Sequence, residues 1–217
     1  MVRTIAQDRG VRVVAAAFMV LVLAGYAASV AKADARGGEA EAFIQNLARS
    51  GVAMLEASEF TDTEREHEFR RLTRKGFALE VIGQFVAGRH WRTMTDEQRA
   101  EFQDLFAEWL LTSYGRRLGS YNGQSLKIVK SVELQNSARD VMVQTRVVYA
   151  DGQPPVAADW RVREFGGEPK IIDVMIEGVS MAAAQRAEID AVIRRIGVEG
   201  LLDNLRSRLA VLVAGNE

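Results

Sequence analysis

A change in the spacing of apolar residues at Ser125 constrains the fold of this chain most. From there to Ile176, apolar and polar residues alternate in four runs that are separated by short turn sequences. The apolar positions are Leu126, Ile128, Val132 and Leu134; Val141, Val143, Thr145, Val147 and Tyr149; Val156, Ala158, Trp160 and Val162; and Ile172, Val174 and Ile176. Such alternation predicts half-buried strands, and short turns join antiparallel neighbours. Residues 125–177 are therefore predicted to form a four-stranded antiparallel meander with one apolar face.

Helical spacing precedes this region. Apolar residues recur at i, i+3, i+4 and i+7 within residues 39–121, which is the period of amphipathic helices. Two capping boxes, Thr61 with Glu64 and Thr95 with Gln98, predict helix starts within this part.

Helical spacing also follows the predicted sheet. Residues 179–213 are predicted to form two helices, with Ser180 as the N-cap of the first and Gly197 between them. The chain is therefore predicted to be α+β, with the four-stranded sheet packed against N- and C-terminal helices.

The first 33 residues have the three parts of a secretory signal peptide. Arg3, Arg9 and Arg12 give a basic start. Residues 13–28 form an uncharged apolar run, and Ala31, Lys32 and Ala33 form a small-residue cleavage site. The apolar run is shorter than the roughly 20 residues of a membrane-spanning helix. Cleavage after Ala33 is therefore predicted, rather than retention as an anchor. Residues 34–217 would form a single soluble domain.

Charge and cysteine content exclude several classes of protein. Without residues 1–33 the chain has 24 basic and 28 acidic residues, a net charge of −4. A protein that neutralises nucleic-acid phosphates needs a basic surface, so no nucleic-acid partner is predicted. The chain has no cysteine, which excludes thiol catalysis and cysteine-bound metals.

Residues suited to catalysis or metal binding are few. The two histidines, His67 and His90, are too few for a three-histidine zinc site, and His67 lies in a charged stretch that predicts an exposed helix face. Asp173 and Glu177 share a strand face, but four residues along a strand separate them by roughly 13 Å. That distance is too long for paired acid–base work. Neither a catalytic constellation nor a cofactor nor a metal site is predicted.

Two segments resemble a known family. The first is the heptapeptide 86–92 (Val-Ala-Gly-Arg-His-Trp-Arg), followed by Thr95, Gln98, Phe102, Phe106, Leu110 and Tyr114; the second is the octapeptide 173–180 (Asp-Val-Met-Ile-Glu-Gly-Val-Ser), followed by Arg186, Gly197, Gly200 and Leu201. Together they resemble the MlaC (toluene-tolerance) family of periplasmic phospholipid-binding proteins. The similarity keeps the same order over residues 39–212.

The resemblance implies that residues 34–217 form a lipid-binding domain in which helices and sheet enclose an apolar cavity. The expected sheet wall consists of Val143, Val147, Trp160, Val162, Val174 and Ile176, and the expected helical wall of Phe85, Trp91, Phe106, Trp109 and Tyr114. The implied activity is lipid shuttling in the periplasm, with no bond made or broken, as part of a system that maintains outer-membrane lipid asymmetry. The implied partners are phospholipid, an outer-membrane lipoprotein–porin complex and an inner-membrane ABC lipid transporter.

Three departures from the family pattern leave the identity of the lipid open. A Trp is absent near Pro169, Gln185 replaces a Tyr, and Ile189 replaces an aromatic residue. Some relatives occur with hopanoid-biosynthesis genes, so a hopanoid or another polycyclic lipid is an alternative.

Two interpretations that assign the chain to other classes of protein also stay open. One is an NTF2-like enzyme that acts on a hydrophobic substrate, with Tyr114 or Asp173 as the group inside its pocket. The other is an adaptor with a filled core, because apolar periodicity is the same for a filled core and a hollow one.

Overall fold

The computed structural model describes residues 35–115, 121–134, 137 and 139–214. Its strands follow one another in the predicted order. The predicted signal segment and its cleavage site lie outside the described residues. One antiparallel sheet contains the strands in sequence order: β1 Ser125–Glu133, β2 Asp140–Val148, β3 Val156–Phe165, β4 Glu168–Ile176 and β5 Val179–Ser180. The α+β class is confirmed.

The fifth strand is the one element of the sheet that the sequence did not predict. It arises because the chain reverses within two residues, Glu177 (φ 48°) and Gly178 (φ 80°). Two successive positive φ angles are typical of the tightest hairpin turns. Ile176 thereby pairs with Val179, and the two-residue strand leads directly into the next helix.

A bulge in β1 changes which residues face the helices. Val129 is an extra residue in the pairing of β1 with β2, and an extra residue moves all later side chains to the opposite face. Beyond it, Ser131 pairs with Val143 on the helix-covered face, whereas Val132 pairs with Met142 on the other face. The predicted position of Val132 on the apolar face is wrong for this reason.

A second bulge lies in β4. The register of β3 against β4 shifts so that Trp160 pairs with Val174 but Val162 pairs with Ile171. Ile171 is fully buried and takes the position on the covered face that simple alternation assigned to Ile172. The shift brings Ile171 and Val174 together on the face that packs against the helices.

Within the described ranges, five α-helices surround the covered face of the sheet. They are α1 (35–56), α2 Asp62–Gly76, α3 Leu79–Ala87, α4 Asp96–Gly115 and α5 Met181–Ala214, and a 3-10 helix, Gly88–Arg92, precedes α4. The described part of α4 ends at Gly115, short of the predicted end near Tyr121, and residues 116–120 lie outside the described residues. α5 contains the predicted break, since Gly197 has φ 76° and ψ 178°. None of the described helices is both long and apolar enough to span a bilayer.

Both predicted capping boxes are present. In α2, the backbone N–H of Glu64 donates to Thr61 Oγ1 at 3.2 Å, and the backbone N–H of Thr61 donates to Glu64 Oε2 at 2.8 Å. In α4, the backbone N–H of Gln98 donates to Thr95 Oγ1 at 3.2 Å, and Gln98 Oε1 accepts from the Thr95 N–H at 3.0 Å. Each box satisfies backbone donors that a helix start otherwise leaves without partners.

We expect Thr61→Ala to lower the free energy of unfolding by about 1 kcal/mol, because the first turn of α2 loses its side-chain acceptor. Chemical denaturation measures the change. Thr63→Ala is the matched control, since Thr63 lies inside the same exposed turn and should leave stability nearly unchanged. Equal stability of Thr61→Ala and the wild type would contradict a stabilising role for this box.

Arg65 connects α2 to the end of α1. Its Nη1 donates to the carbonyls of Met54 (2.8 Å) and Leu55 (3.0 Å), and its Nη2 donates to those of Ala57 and Phe60, each at 3.2 Å. Helix ends leave carbonyl groups without helical partners, and a guanidinium can satisfy several of them at once. The two helices are thus held in a fixed relation at this end.

The buried apolar residues form two separate cores. One lies among the helices and contains Ile82, Val86, Ala87, Met94, Phe102, Phe106, Ile189, Ile193, Leu201, Leu202 and Leu205. The other lies between α1 and the sheet and contains Ala40, Ile44, Val141, Val143, Val162 and Ile171. Phe77, in the link between α2 and α3, packs against both cores. The space between the two cores holds the candidate site.

Candidate functional site

The sheet supplies one wall of the site through Trp160. This residue pairs with Val143 in β2 and with Val174 in β4, and directly paired residues share a sheet face. Its indole Nε1 donates to Thr145 Oγ1 at 3.1 Å, and Thr145 Oγ1 donates to the carbonyl of Ala158. The hydrogen bonds fix the position of the indole ring on the sheet.

Helix α4 supplies the opposite wall through a row of aromatic rings. The rings of Phe102 and Phe106 stack with centroids 5.6 Å apart, and Trp109 follows at 6.0 Å from Phe106. Leu110 and Tyr114 continue the row towards the end of the helix. Spacings of three and four residues place these side chains on one helix face.

A cavity of about 400 Å³ lies between these walls. Its lining residues are Phe69, Thr73, Phe77, Ile82, Val86, Phe106, Trp109, Leu110, Tyr114, Trp160, Asp173, Val174, Ile176, Met181, Ala182 and Gln185. Most of them are apolar, and ligand sites of this size are typically lined in the same way, with a few polar groups. We call this space the main cavity.

The main cavity meets solvent at one end. Tyr114, near the end of α4, is 40% exposed and Ile176, at the end of β4, is 37% exposed. Val86 and Phe106, in contrast, are each 1% exposed and form the deep part. A ligand with an apolar tail and a polar head could therefore bury the tail and leave the head in water.

The carboxylate of Asp173 anchors the helix beside this opening. Ser180 Oγ donates to Asp173 Oδ2 at 2.5 Å, and the Ala182 backbone N–H donates to Asp173 Oδ1 at 3.0 Å. The Ala183 N–H donates to Ser180 Oγ at 3.0 Å, so Ser180 is the predicted N-cap of α5. Both carboxylate oxygens accept hydrogen bonds in the start of this helix, which is a structural role.

The structure brings six of the eleven predicted site residues together around the main cavity. They are Phe106, Trp109, Tyr114, Trp160, Val174 and Ile176. Three of these residues lie in α4, one in β3 and two in β4.

The other five predicted residues lie away from the cavity lining. Val143 and Val162 are buried in the core between α1 and the sheet, and Val147 pairs with Leu126 and Val156 towards the end of β2. Phe85 is 43% exposed. Trp91 packs against the helical core, and its ring lies 5.7 Å from the Arg99 guanidinium carbon.

Arg186 lies close to two residues at the end of α3, Phe85 and Gly88. The guanidinium carbon of Arg186 lies 5.1 Å from the centre of the Phe85 ring, a cation–π distance. Gly88 has φ 59°, and a Cβ at this position would lie 2.7 Å from Arg186 Nε. A glycine is therefore needed where Arg186 crosses the end of α3.

Sequence patterns missed the contribution of α2 to the cavity. Phe69 and Thr73 of α2, and Phe77 just after it, line the cavity, whereas the charged stretch around His67 predicts an exposed helix face. The i, i+4 spacing of Phe69 and Thr73, with Leu72 beside them, is the sequence signal that could have revealed a buried stripe on α2. Phe77 follows the helix, and its pairing with Ile171 in β4 required the tertiary structure.

A buried ion pair lies on the other face of the sheet. The Asp140 side chain is 0% exposed; Arg163 Nε donates to its Oδ1 at 2.6 Å, and Arg161 Nε donates to its Oδ2 at 2.8 Å. Burial alone would raise the pKa of Asp140, but the hydrogen bonds from Arg163 and Arg161 outweigh burial and hold the pKa below its usual value. This cluster fastens the start of β2 to β3.

The two histidines are placed differently. His67 is on an exposed face of α2, as predicted. His90 Nε2 shares a hydrogen bond of 2.8 Å with Asp190 Oδ1, and the hydrogen bond with His90, together with the charges of Arg194 and Arg89, lowers the pKa of Asp190. The contact joins the 3-10 helix to α5. Across the described ranges, no group of three or more His, Asp or Glu side chains could hold a metal ion.

The chain has an antiparallel sheet that helices cover on one face, and an apolar cavity lies between the two layers. This arrangement defines the class of α+β proteins that can enclose an apolar ligand. The family within this class is equally clear: the chain belongs to the MlaC family, because the model of that family, described as MlaC protein, matches residues 45–207. The resemblance seen in the two sequence segments is thereby confirmed.

Proteins that are similar to this chain include one relative and one solved structure whose names refer to phospholipid. The intermembrane phospholipid transport system binding protein MlaC of Haemophilus influenzae is 24% identical over 141 residues, which make up 64% of this chain and 65% of that protein. The match thus spans slightly less than two thirds of the relative. The solved structure of the phospholipid-binding protein from Ralstonia solanacearum in complex with a phospholipid has a TM-score of 0.69 and 24% identity, and the match covers 80% of this chain and 98% of that chain. At this identity the likeness shows the fold.

Proposed function

We propose that this protein is a periplasmic carrier that binds the acyl chains of a phospholipid in the main cavity and shuttles the lipid between membrane complexes. The observation that carries the proposal is the cavity of about 400 Å³, lined mainly by apolar residues and reached by solvent beside Tyr114 and Ile176. A filled-core adaptor would have no need of such a space. The names of the two similar proteins agree with this ligand class.

The energetics of lipid transfer explain why a carrier needs a cavity. Each buried methylene contributes about 0.8 kcal/mol, so a bilayer holds a chain of some sixteen carbons by roughly 13 kcal/mol. A protein can remove the lipid only if it offers a comparable apolar environment. The main cavity supplies that environment, and its open end leaves the head group hydrated. Binding and release are then a partition between two apolar phases, and no bond is made or broken.

The proposal is that the protein is not an enzyme. The two groups that could act in the pocket are Asp173 and Tyr114. The Asp173 carboxylate already accepts hydrogen bonds from Ser180 and Ala182, and Tyr114 lies at the exposed end. Neither arrangement places a proton donor or acceptor deep in the cavity, where the apolar part of a substrate would lie.

Location and partners complete the proposal. Residues 1–33 have the composition of a secretory signal peptide, which agrees with function between two membranes. The net charge of −4 expected after cleavage would keep the protein from adhering to anionic lipid by charge alone. We propose an outer-membrane lipoprotein–porin complex and an inner-membrane ABC transporter as the sites of loading and unloading.

The test is native mass spectrometry, with lipid extraction, on the exported protein purified without detergent. We expect about one phospholipid per chain, because the main cavity offers acyl chains an apolar environment comparable to that of a bilayer. The identity of the extracted lipid distinguishes a phospholipid from a hopanoid or another polycyclic lipid. A protein that is free of lipid, and remains so after incubation with phospholipid vesicles, would overturn the carrier function and favour the adaptor.

A further inference from the structure

A charged groove lies on a different side of α5 from the main cavity. It has a volume of about 330 Å³ and runs between α5 and the end of α3; we call it the α5 groove. Ala182 and Gln185 of α5 line the main cavity, whereas Ala183, Arg186 and Ala187 line the α5 groove. Among the described residues, none lines both spaces. A ligand in the α5 groove therefore does not compete with one in the main cavity.

The floor of the α5 groove consists of small residues. Ala183 and Ala187 are spaced i, i+4 and so lie on one face of α5. Ala87 and Gly88, where α3 meets the 3-10 helix, complete the floor. None of these four residues has a side chain larger than a methyl group. The main chain of an extended peptide can therefore approach the floor closely.

The charges along the α5 groove are mainly positive. Asp190 Oδ1 lies 2.9 Å from Arg89 Nη2 and 2.8 Å from His90 Nε2, and Asp190 Oδ2 lies 3.1 Å from Arg194 Nη2. One carboxylate thus serves two guanidinium groups and an imidazole. The Arg89 and Arg194 side chains are 60% and 62% exposed. Because a guanidinium has five N–H donors, each of them retains donors for a further acceptor.

Arg186 adds a third guanidinium group to the α5 groove. Its guanidinium carbon lies 5.1 Å from the centre of the Phe85 ring, and within the described ranges Arg186 forms no ion pair. Contact with an aromatic ring positions the side chain but does not neutralise its charge. Three guanidinium groups therefore face a single carboxylate, Asp190, in a protein whose expected net charge is negative.

We propose that the α5 groove binds an acidic, extended segment of a protein partner, whose carboxylates pair with the guanidinium groups of Arg186 and Arg194. A guanidinium binds a carboxylate through two parallel N–H donors, which gives orientation as well as affinity. This inference goes beyond lipid carriage, because it assigns a docking surface that does not depend on lipid in the main cavity. A flat anionic membrane fits the site less well, since the positive charge lies in a concave groove and the expected net charge of the protein is negative.

The distance between the two arginines sets the spacing of the acidic side chains. Arg186 and Arg194 are eight residues apart on α5, which corresponds to a rise of about 12 Å at 1.5 Å per residue. In an extended segment, residues i and i+4 point to the same side and lie about 13 Å apart at 3.3 Å per residue. The segment that fits best therefore carries two acidic residues four positions apart.

The experiment titrates the isotope-labelled exported protein with a short peptide and follows its backbone amide signals by NMR. The probe is an amide-capped pentapeptide with glutamate at its first and last positions and alanine between them, too short to be a stable helix. We expect the amide signals of Gly88, Ala183 and Ala187 to shift, and the shifts to disappear at about 1 M salt, where the Debye length is about 3 Å. The same peptide with glutamine in place of glutamate should cause no shifts.

Two variants test the charge and the shape of the α5 groove separately. Arg186→Gln should bind the glutamate peptide about tenfold more weakly, because a charge-assisted pair is lost. Its matched control is Arg195→Gln, which removes the same charge from an exposed position of α5 outside the groove lining. Ala187→Leu fills the floor without a change in charge and should weaken binding to a similar extent. Ala184→Leu, at an exposed position outside the lining, is its control, and both controls should bind as the wild type does.

Equal binding of the glutamate and glutamine peptides would overturn the proposal, as would an Arg186→Gln variant that binds like Arg195→Gln. Phosphatidylglycerol vesicles that shift the same signals, when the peptide does not, would replace the protein partner with a membrane surface. Native mass spectrometry of the same samples reports lipid occupancy separately. A wild type without lipid that still binds the peptide would refute the carrier function and support the docking surface, so the two failures are distinguishable.

Discussion

Ala182→Phe should bind phospholipid at least about 100-fold more weakly than the wild type. Ala182 is 6% exposed and lines the main cavity, so a phenyl ring at this position occupies space that an acyl chain needs. Displacing about four methylenes from the cavity costs roughly 3 kcal/mol at 0.8 kcal/mol each, and 1.4 kcal/mol corresponds to a tenfold change in affinity. Lipid occupancy after purification without detergent, followed by titration with phospholipid vesicles, measures the loss.

Ala184→Phe is the matched control for this prediction. Ala184 lies in the same turn of α5 but is exposed, so the same ring there should leave lipid binding unaffected. Circular dichroism and thermal unfolding of both variants show whether the fold is retained. Full lipid occupancy in folded Ala182→Phe would mean that the lipid is held somewhere other than the main cavity.

Asp140→Ala should lower the free energy of unfolding by about 3 kcal/mol at neutral pH. Removing one partner of a buried ion pair typically costs 3–5 kcal/mol, because the remaining charge loses its partner. The lower end of this range applies, since Arg161 and Arg163 are 32% and 28% exposed and can regain contact with water. A cost of 3 kcal/mol corresponds to a decrease of about 6–12 °C in melting temperature for a domain of this size.

The same variant should respond differently to acid. Because the pKa of Asp140 is lowered in the folded state, its contribution is fully present above the unfolded value of about 3.9 and is lost as the pH falls through the lower folded value. The stability difference between wild type and Asp140→Ala should therefore shrink below about pH 4. Denaturation curves between pH 7 and pH 2 measure it.

Asp203→Ala provides the comparison for this acid dependence. Asp203 is 72% exposed and pairs with Arg206 on the surface, where water screens the interaction. Its loss should leave stability nearly unchanged across the range. An Asp140→Ala variant as stable as Asp203→Ala at neutral pH would show that the buried pair contributes little.

Local patterns predicted most of the secondary structure because local interactions decide it. The capping boxes at Thr61 and Thr95 depend on residues three positions apart, and strand alternation depends on neighbours. The bulges at Val129 and Ile172 were not predictable in this way. Each is an offset between two strands, which becomes defined only when the strands pair.

The candidate site was predictable only in part, for a physical reason. A helix face such as that of Phe106 and Trp109 has the same spacing whether it meets other side chains or an empty space. Alternation alone assigned Trp160 and Val174 to the covered sheet face, and only the family resemblance assigned them to a cavity wall. Phe85, in the same kind of pattern, lies under Arg186 instead. The pairing of Asp140 with Arg161 and Arg163 could not be predicted either, because it depends on the register of β2 against β3.

The division of the apolar interior into two cores has a consequence for the unloaded protein. Each core is packed without help from the space between them, and apolar cavities of this kind can remain dry. Under the proposed carrier function, release of the lipid would therefore remove no side chain from either core. We expect the lipid-free protein to stay folded and able to bind lipid again.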